Sequence, residues 1–171
     1  MEVTISVCQT TWGWVGVAAS ATGLVRIHLP VGTREDALAA LLRDWPDAQE
    51  GTNSHLETFQ AKLQRYFGGE DVSFGDEVLD MQQATEFLAR VWDVVRAIPR
   101  GQVRSYSWVA RQVGSAQGAR AVGRAMASNP FPIVVPCHRV VGQHGELTGF
   151  GGGLDMKYRL LAMEGACLPT T

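Results

Sequence analysis

No apolar run in the 171-residue chain reaches membrane-spanning length, and residues 1 to 30 lack the basic region and continuous apolar stretch of a secretory leader. A soluble, intracellular, cytoplasmic protein with no membrane partner is expected. Cysteine is scarce. Cys8, Cys137 and Cys167 are odd in number and have none of the paired short spacings of a disulfide framework or zinc cluster, so reduced thiols are expected. Cys8, His28 and His55 are too scattered to suggest a metal site, and no metal or cofactor is expected. The glycine run at 151–153 has no GKS or GxGxxG context, which favours a tight loop over a phosphate cradle. What the chain does have is apolar material, 46% against 19% charged residues, enough to bury a core in one compact domain or two small ones.

The net charge of -2 hides an asymmetry. Residues 1–83 carry 5 Lys/Arg against 12 Asp/Glu, whereas residues 84–171 carry 10 against 5, and nine of those ten cations are arginine. A basic half suggests a face for a polyanion, with chance surface charge as the plain alternative.

Short alternating runs (Val3, Ile5, Val7; Val15, Val17; Val25, Ile27, Leu29) broken by Gly13, Gly16 and Thr22-Gly23 predict strands joined by tight turns. Thr33 caps a helix ending before Pro46, and Ser54 with Glu57 reads as the capping box of a second helix that Gly68-Gly69 stops. An inter-domain connection is expected within or just after the polar stretch 68–80, near residue 82. Beyond it the pattern turns helical. Phe87, Val91, Val94, Val95 and Ile98 mark one helix, ending at Pro99-Arg100-Gly101. Ser105 or Ser107 caps a second that Gly114 terminates, and after a polar turn at 115–118 a third covers about 119–127. The last two form a candidate helix-turn-helix.

The third of these helices carries Ala119, Ala121, Gly123, Ala125 and Ala127, so its surface is nearly smooth. Such a helix suits the minor groove, about 6 Å wide in B-DNA, better than base-edge reading in the major groove. Close packing against another helix is the structural alternative. Downstream, Pro130, Pro132 and Pro136 forbid a helix and predict an extended path leading to Cys137-His138. His138 can deprotonate the thiol directly or through water, with a carboxylate such as Glu164 orienting it. A free thiol of pKa about 8.5 is only slightly ionised at neutral pH, and a paired histidine is expected to lower it, for roughly tenfold more thiolate.

The text Asn129-Pro130, then Ile133-Val134-Val135-Pro136-Cys137-His138-Arg139-Val140-Val141-Gly142, closely resembles the active-site segment of the O6-alkylguanine-DNA alkyltransferases. So do Ile98-Pro99-Arg100-Gly101, Ser105-Tyr106 and Ala119-Arg120-Ala121-Val122-Gly123 upstream. Downstream, the likeness continues through Gly149-Phe150-Gly151-Gly152-Gly153-Leu154, Lys157, Leu160-Leu161 and Glu164-Gly165. It covers about residues 85–166, while the first 80 match only in size, strand-helix pattern and sparse text.

The resemblance implies an α+β protein with an amino-terminal ribonuclease-H-like strand/helix domain (1–82) and a carboxy-terminal helical domain (83–171) that contains the helix-turn-helix. It implies direct-reversal repair: one irreversible transfer of an alkyl group from O6-alkylguanine, and from O4-alkylthymine as an extension, to Cys137 of a methylated-DNA-cysteine S-methyltransferase. His138 would be the base acting through water, Glu164 its orienting carboxylate, and Asn129 the brace between recognition helix and cysteine. Tyr106 would donate to N3, the carbonyls of Cys137 and Val140 would accept the exocyclic amine, and Gly151 N–H would meet O6. Met126 and Phe150 would form apolar walls and Lys157 would tie down the loop. Arg120 would fill the gap left by the flipped base, with Ser105, Ala119, Gly123, Arg124 and Ala127 along the DNA.

The expected partner is double-stranded DNA, bound through the minor groove with little sequence preference by a monomer, with cooperativity along the DNA left open. Phe150 stands where many relatives carry Tyr, and Gly151 where serine is frequent, which predicts a looser loop and a wider range of alkyl groups. Two other readings stand beside transfer. One is a non-catalytic alkylguanine-binding protein, which the presence of Cys137 opposes; the other is a Cys-His hydrolase, which would turn over repeatedly.

Overall fold

The alternating runs of the first thirty residues form three strands, β1 (Thr4–Thr10), β2 (Gly13–Ala19) and β3 (Leu24–Val31), paired antiparallel in chain order. A short β4 (Gln49–Glu50) adds in parallel beside β1, giving the sheet order β3-β2-β1-β4. Helix α1 (Arg34–Asp44) lies on one face, where Leu41 joins Val3, Ile5 and Ala18 in a buried cluster. Helix α2 (Ser54–Phe67) covers the other, with Gln60 donating to the Ser6 hydroxyl at 2.8 Å. Because successive strand residues face opposite sides, β1 is covered on both, and Ser6, Cys8 and Thr10 are buried as well as Ile5.

The computed structural model describes residues 1–115 and 118–167, and the chain divides into two compact units, Met1–Gln82 and Gln83–Thr171. In the first unit, Thr33 caps α1 as expected, its hydroxyl accepting from the Asp36 N–H. The cap of α2 is a correction. Asn53, not Ser54, takes the bond from Leu56 N–H at 2.9 Å, and Ser54 is already the first helical residue. An asparagine in extended conformation one position earlier places its carbonyl oxygen over the orphan donors, which leaves Ser54 no capping task.

The second unit runs α3 (Glu86–Arg96), β5 (Arg104–Ser105), α4 (Tyr106–Val113), α5 (Ala119–Ala127), a single 3-10 turn (Cys137–Arg139), β6 (Val140–Val141) and α6 (Leu154–Met163). The fold is α+β, with its sheet of four strands in the first unit and mostly helix in the second. Of the two candidate serines, Ser105 caps α4 by accepting from Trp108 N–H at 3.0 Å, and Gly114 ends that helix in the left-handed region at φ 65°. The polar turn expected at 115–118 includes residues 116 and 117, which lie outside the described residues. Trp92 on α3 donates its indole N–H to Ala125 O on α5 at 2.9 Å and meets Phe131 edge-on at 5.9 Å, fixing the end of α5 against α3.

The proline-bounded segment departs from the expected extended path. Val135 N–H bonds Phe131 O at 2.8 Å, and Ile133 is left-handed at φ 76°. Pro136, at φ -78° and ψ 68°, sits at the centre of an inverse γ-turn closed by Cys137 N–H on Val135 O at 2.7 Å. Prolines fix their own φ but leave the residues between them free to turn, so the chain coils tightly and delivers Cys137 at the head of the 3-10 turn.

The corrected cap is measurable. Asn53→Ala should cost about 1 kcal/mol of unfolding free energy in urea titrations, whereas Ser54→Ala stays within about 0.5 kcal/mol of the parent.

Candidate active site

Cys137 is buried, 8% exposed, at the edge of a cavity of about 570 Å3 in the second unit. Three stretches of chain build its walls. Tyr106, at the start of α4, is one. Helix α5 supplies Ala119, Arg120, Gly123, Met126 and Ala127, and the loop before α6 supplies residues 148–151, including Phe150 and Gly151. The small residues of α5 are therefore at the cavity and not buried against another helix at every position: Ala119, Arg120, Arg124 and Ala127 are exposed, while Ala121, Val122, Ala125 and Met126 face inward.

Behind the thiol, His138 is fully buried and its Nε2 lies 3.0 Å from Glu164 Oε2. Glu164, the C-cap of α6, is also held by Arg139, whose Nε and Nη2 donate to its two oxygens at 2.9 and 2.8 Å. The third nitrogen, Nη1, donates to Ile98 O at 2.7 Å. Burial alone would raise the Glu164 carboxyl, but hydrogen bonds from Arg139 and His138 outweigh it and keep its pKa well below the usual carboxylate range. Burial pushes the His138 imidazole down, against the opposing pull of Glu164. A neutral ring beside an ionised carboxylate keeps its proton on Nε2, so Nδ1 carries the lone pair. Nδ1 is buried with no hydrogen-bond partner among the described residues, and is thus the atom able to accept a proton.

The expectation that a paired histidine lowers the thiol pKa is corrected. Burial pushes the Cys137 thiol up, and the opposing pull of the Asn129 amide and the Lys157 charge is smaller. A neutral imidazole brings no positive charge to stabilise a thiolate, so the resting sulfur keeps its proton.

Asn129 ties the end of α5 to the turns before the cysteine: its Nδ2 donates to Val135 O at 2.9 Å and its Oδ1 accepts from Phe131 N–H at 2.9 Å. Lys157, fully buried on α6, donates to Thr148 O at 2.8 Å and Gly149 O at 3.5 Å, and reaches the Tyr106 hydroxyl at 3.4 Å. Burial pulls its pKa down to about 8. Tyr106 in turn donates to Thr148 O at 3.0 Å. The parallel pairing of Arg104 with Val140 and Ser105 with Val141 sets Tyr106 beside the cysteine turn.

Not every expected site residue reaches the cavity. Val140 lies in β6 and Ser105 serves as a helix cap, while Arg124 is on the exposed side of α5. Thr148, Gly149 and Arg139 were not singled out for any role from the sequence. The first two act through main-chain carbonyls, which no side-chain motif marks, and the Arg139 pairing spans 25 residues that no spacing rule connects. At Gly151 an added Cβ would meet nothing within 4 Å, so space does not demand glycine there, whereas Gly153 starts α6 at φ 89°. Elsewhere, His28 meets Asp44 at 3.2 Å and His55 meets Glu77 at 3.0 Å, while burial lifts the Cys8 thiol to about 11. Cys167 is exposed. Among the described residues no helix is long and apolar enough to cross a membrane.

Residues 86–166 match the family profile described as "6-O-methylguanine DNA methyltransferase, DNA binding domain". A methylated-DNA--protein-cysteine methyltransferase of Mycolicibacterium paratuberculosis is 52% identical over 103 residues, 60% of this chain and 61% of that protein, so the match spans about three fifths of the relative. One from Methanosarcina acetivorans is 41% identical over 122 residues, covering 71% of this chain and 77% of its own length. Among solved structures, the Mycobacterium tuberculosis OGT in complex with DNA is similar at a TM-score of 0.79 and 33% identity, over 95% of this chain and 92% of that one.

The depressed Glu164 carboxyl has a signed consequence for stability. A carboxylate whose folded pKa lies below its unfolded value stabilises the fold at pH above the unfolded value, and that contribution is lost as pH falls through the folded one. Urea unfolding across acid pH should show the second unit losing stability on acidification, and Glu164→Gln should flatten that slope; parallel slopes would refute the assignment.

Proposed function

The chain belongs to the 6-O-methylguanine DNA methyltransferase family, and from that premise we propose that it repairs DNA by direct reversal, moving an alkyl group from guanine O6 to Cys137. The observation that carries this reading is the buried Cys137 thiol at the edge of a cavity bounded by α5, backed by a neutral histidine whose Nδ1 has no hydrogen-bond partner among the described residues. His138 takes the thiol proton through a water, and the sulfur attacks the alkyl carbon. An S–C bond forms as the C–O6 bond breaks. The electron pair goes to the base, which takes up a proton and leaves as ordinary guanine. The resulting thioether has no easy leaving path, so each molecule acts once.

Since the resting thiol is protonated, much of the rate comes from alignment. Holding the alkyl carbon in line with sulfur at about 3 to 3.5 Å supplies the larger share, and hydrogen bonds to the leaving oxygen, such as Gly151 N–H, supply more. Met126 and Phe150 wall the base, Tyr106 donates to its edge once released from Thr148, and the carbonyl of Cys137 accepts its amine, with Val140 behind it in β6. O4-alkylthymine is a further substrate of the same geometry. The open spaces at Gly151 and the hydroxyl-free Phe150 favour bulkier alkyl groups.

The cavity accommodates a base only after it leaves the helical stack. Exposed Arg120, at the cavity mouth on α5, takes the place of that base. Ala119, Gly123 and Ala127 allow the helix to approach the minor groove closely, and Ser105 and Arg124 add backbone contacts. Residues 83–171 hold the binding and transfer chemistry. The protein works as a monomer in the cytoplasm, with little sequence preference. The Mycobacterium tuberculosis relative solved with DNA supports this reading.

Mixing the protein with excess oligonucleotide bearing O6-methylguanine should give a plateau at one equivalent and a methyl mass gain on the Cys137 peptide. Continued release of product would favour a hydrolase, and Cys137→Ser retaining full activity would end the proposal. Separately, the affinity for alkylated duplex should fall steeply as salt rises, in proportion to the number of phosphates met, and Arg124→Ala should reduce the slope by about 1. A flat salt dependence would remove the DNA reading.

A further inference from the structure

Arg139 touches neither the cavity nor the thiol, yet it holds three acceptors at once: both oxygens of Glu164 and the carbonyl of Ile98. Its side chain is 13% exposed, and the carboxylate it grips is fully buried. Resting on the transfer reading above, we infer that Arg139 is a positioning residue which, through Glu164, keeps His138 a neutral base with its proton on Nε2.

His138 and Glu164 are both buried, so their charges must balance within the protein. A buried carboxylate must be neutralised by a partner. Facing His138 alone, Glu164 would draw a second proton onto the imidazole, and the resulting imidazolium would present N–H donors on both nitrogens with no lone pair left for the thiol proton. The Arg139 fork supplies the neutralising charge first and occupies both oxygens, and it cannot lose that charge by deprotonation. The carboxylate retains one acceptor position for the His138 Nε2–H, at 3.0 Å, which fixes the tautomer that turns Nδ1 toward its task. The other charged and titratable groups acting on the ring are consistent with this state. Lys157 on α6, like Arg139, disfavours a proton there, and Cys137 adjoins it in the same turn. The bond to Ile98 O anchors the guanidinium to the turn after α3, so its placement does not depend on the carboxylate alone.

The sign of the effect follows. Removing the arginine charge lets His138 protonate at higher pH, so the acid limb of the transfer rate moves to higher pH while the alkaline plateau changes less. A purely structural role would slow transfer equally at every pH. Two measurements on the full chain decide this. Nitrogen-15 NMR of the imidazole, followed with pH in the free protein, reports the His138 tautomer and its titration without any transfer. Single-turnover rates on O6-methylguanine duplex at about pH 6 and about pH 8 report the acid limb.

The expected order is unmodified protein, then Arg139→Lys, then Arg139→Gln, with the titration and the acid limb moving to higher pH along that series. The ratio of rates between the two pH values grows several-fold by the last. Lysine keeps the charge but meets one oxygen instead of two, hence its intermediate place. If the glutamine variant does not fold, the lysine variant decides alone, since its titration moves or it does not. An unmoved titration, or a proton found on Nδ1 in the unmodified protein, overturns the inference even if transfer proceeds. If no alkyl transfer occurs in any form, the functional reading fails while the NMR titration still judges the Arg139 relay.

Discussion

One buried carboxylate organises the chemistry of the second unit. Glu164 sits where α6 ends, and three parts of the chain converge on it: the histidine next to Cys137, the arginine after it, and through that arginine the turn following α3. A lone ion in that place would be costly by several kcal/mol, so the surrounding groups stabilise the unit by compensating it. The same carboxylate that needs these partners also holds the imidazole by its Nε2. On the proposed transfer chemistry, stability and reactivity share one set of hydrogen bonds.

The Cys137 sulfur is placed by a second constraint, the coil of chain between Asn129 and Cys137. Asn129 joins both ends of that coil by its two amide atoms, while Pro136 closes an inverse γ-turn onto the cysteine. Ile133 holds a left-handed conformation that a β-branched residue adopts only at a cost of about 1 to 3 kcal/mol. Trp92 and Phe131 pack at the near end of this coil and join it to α3 and α5. The helix that borders the cavity and the turn that bears the sulfur are therefore one mechanical piece.

Much of the fold was legible because its elements follow local rules. Period-two runs gave the three antiparallel strands, and Thr33, Ser105 and Gly114 mark helix ends by their own side chains or backbone freedom. Local rules fail where two residues compete for one task, as Asn53 and Ser54 do, and where proline rigidity is extended to its neighbours, as between residues 129 and 137. In the site, the residue types of Cys137, His138 and Glu164 announce their chemistry, and the structure places them together. The thiol pKa was not legible, since it depends on burial, which no motif encodes. Neither were the carbonyls of Thr148 and Gly149, because a main-chain acceptor has no letter in the sequence.

A backbone tether leaves part of the cavity wall open to change. Lys157 grips the loop by the backbone oxygens of Thr148 and Gly149, so the anchor does not depend on the side chains at 150 and 151. Position 151, where an added Cβ would meet nothing within 4 Å, can change without loosening the tether. A wall moored by its backbone can thus be reshaped by a single substitution, while the turn that carries Cys137 keeps its own bonds.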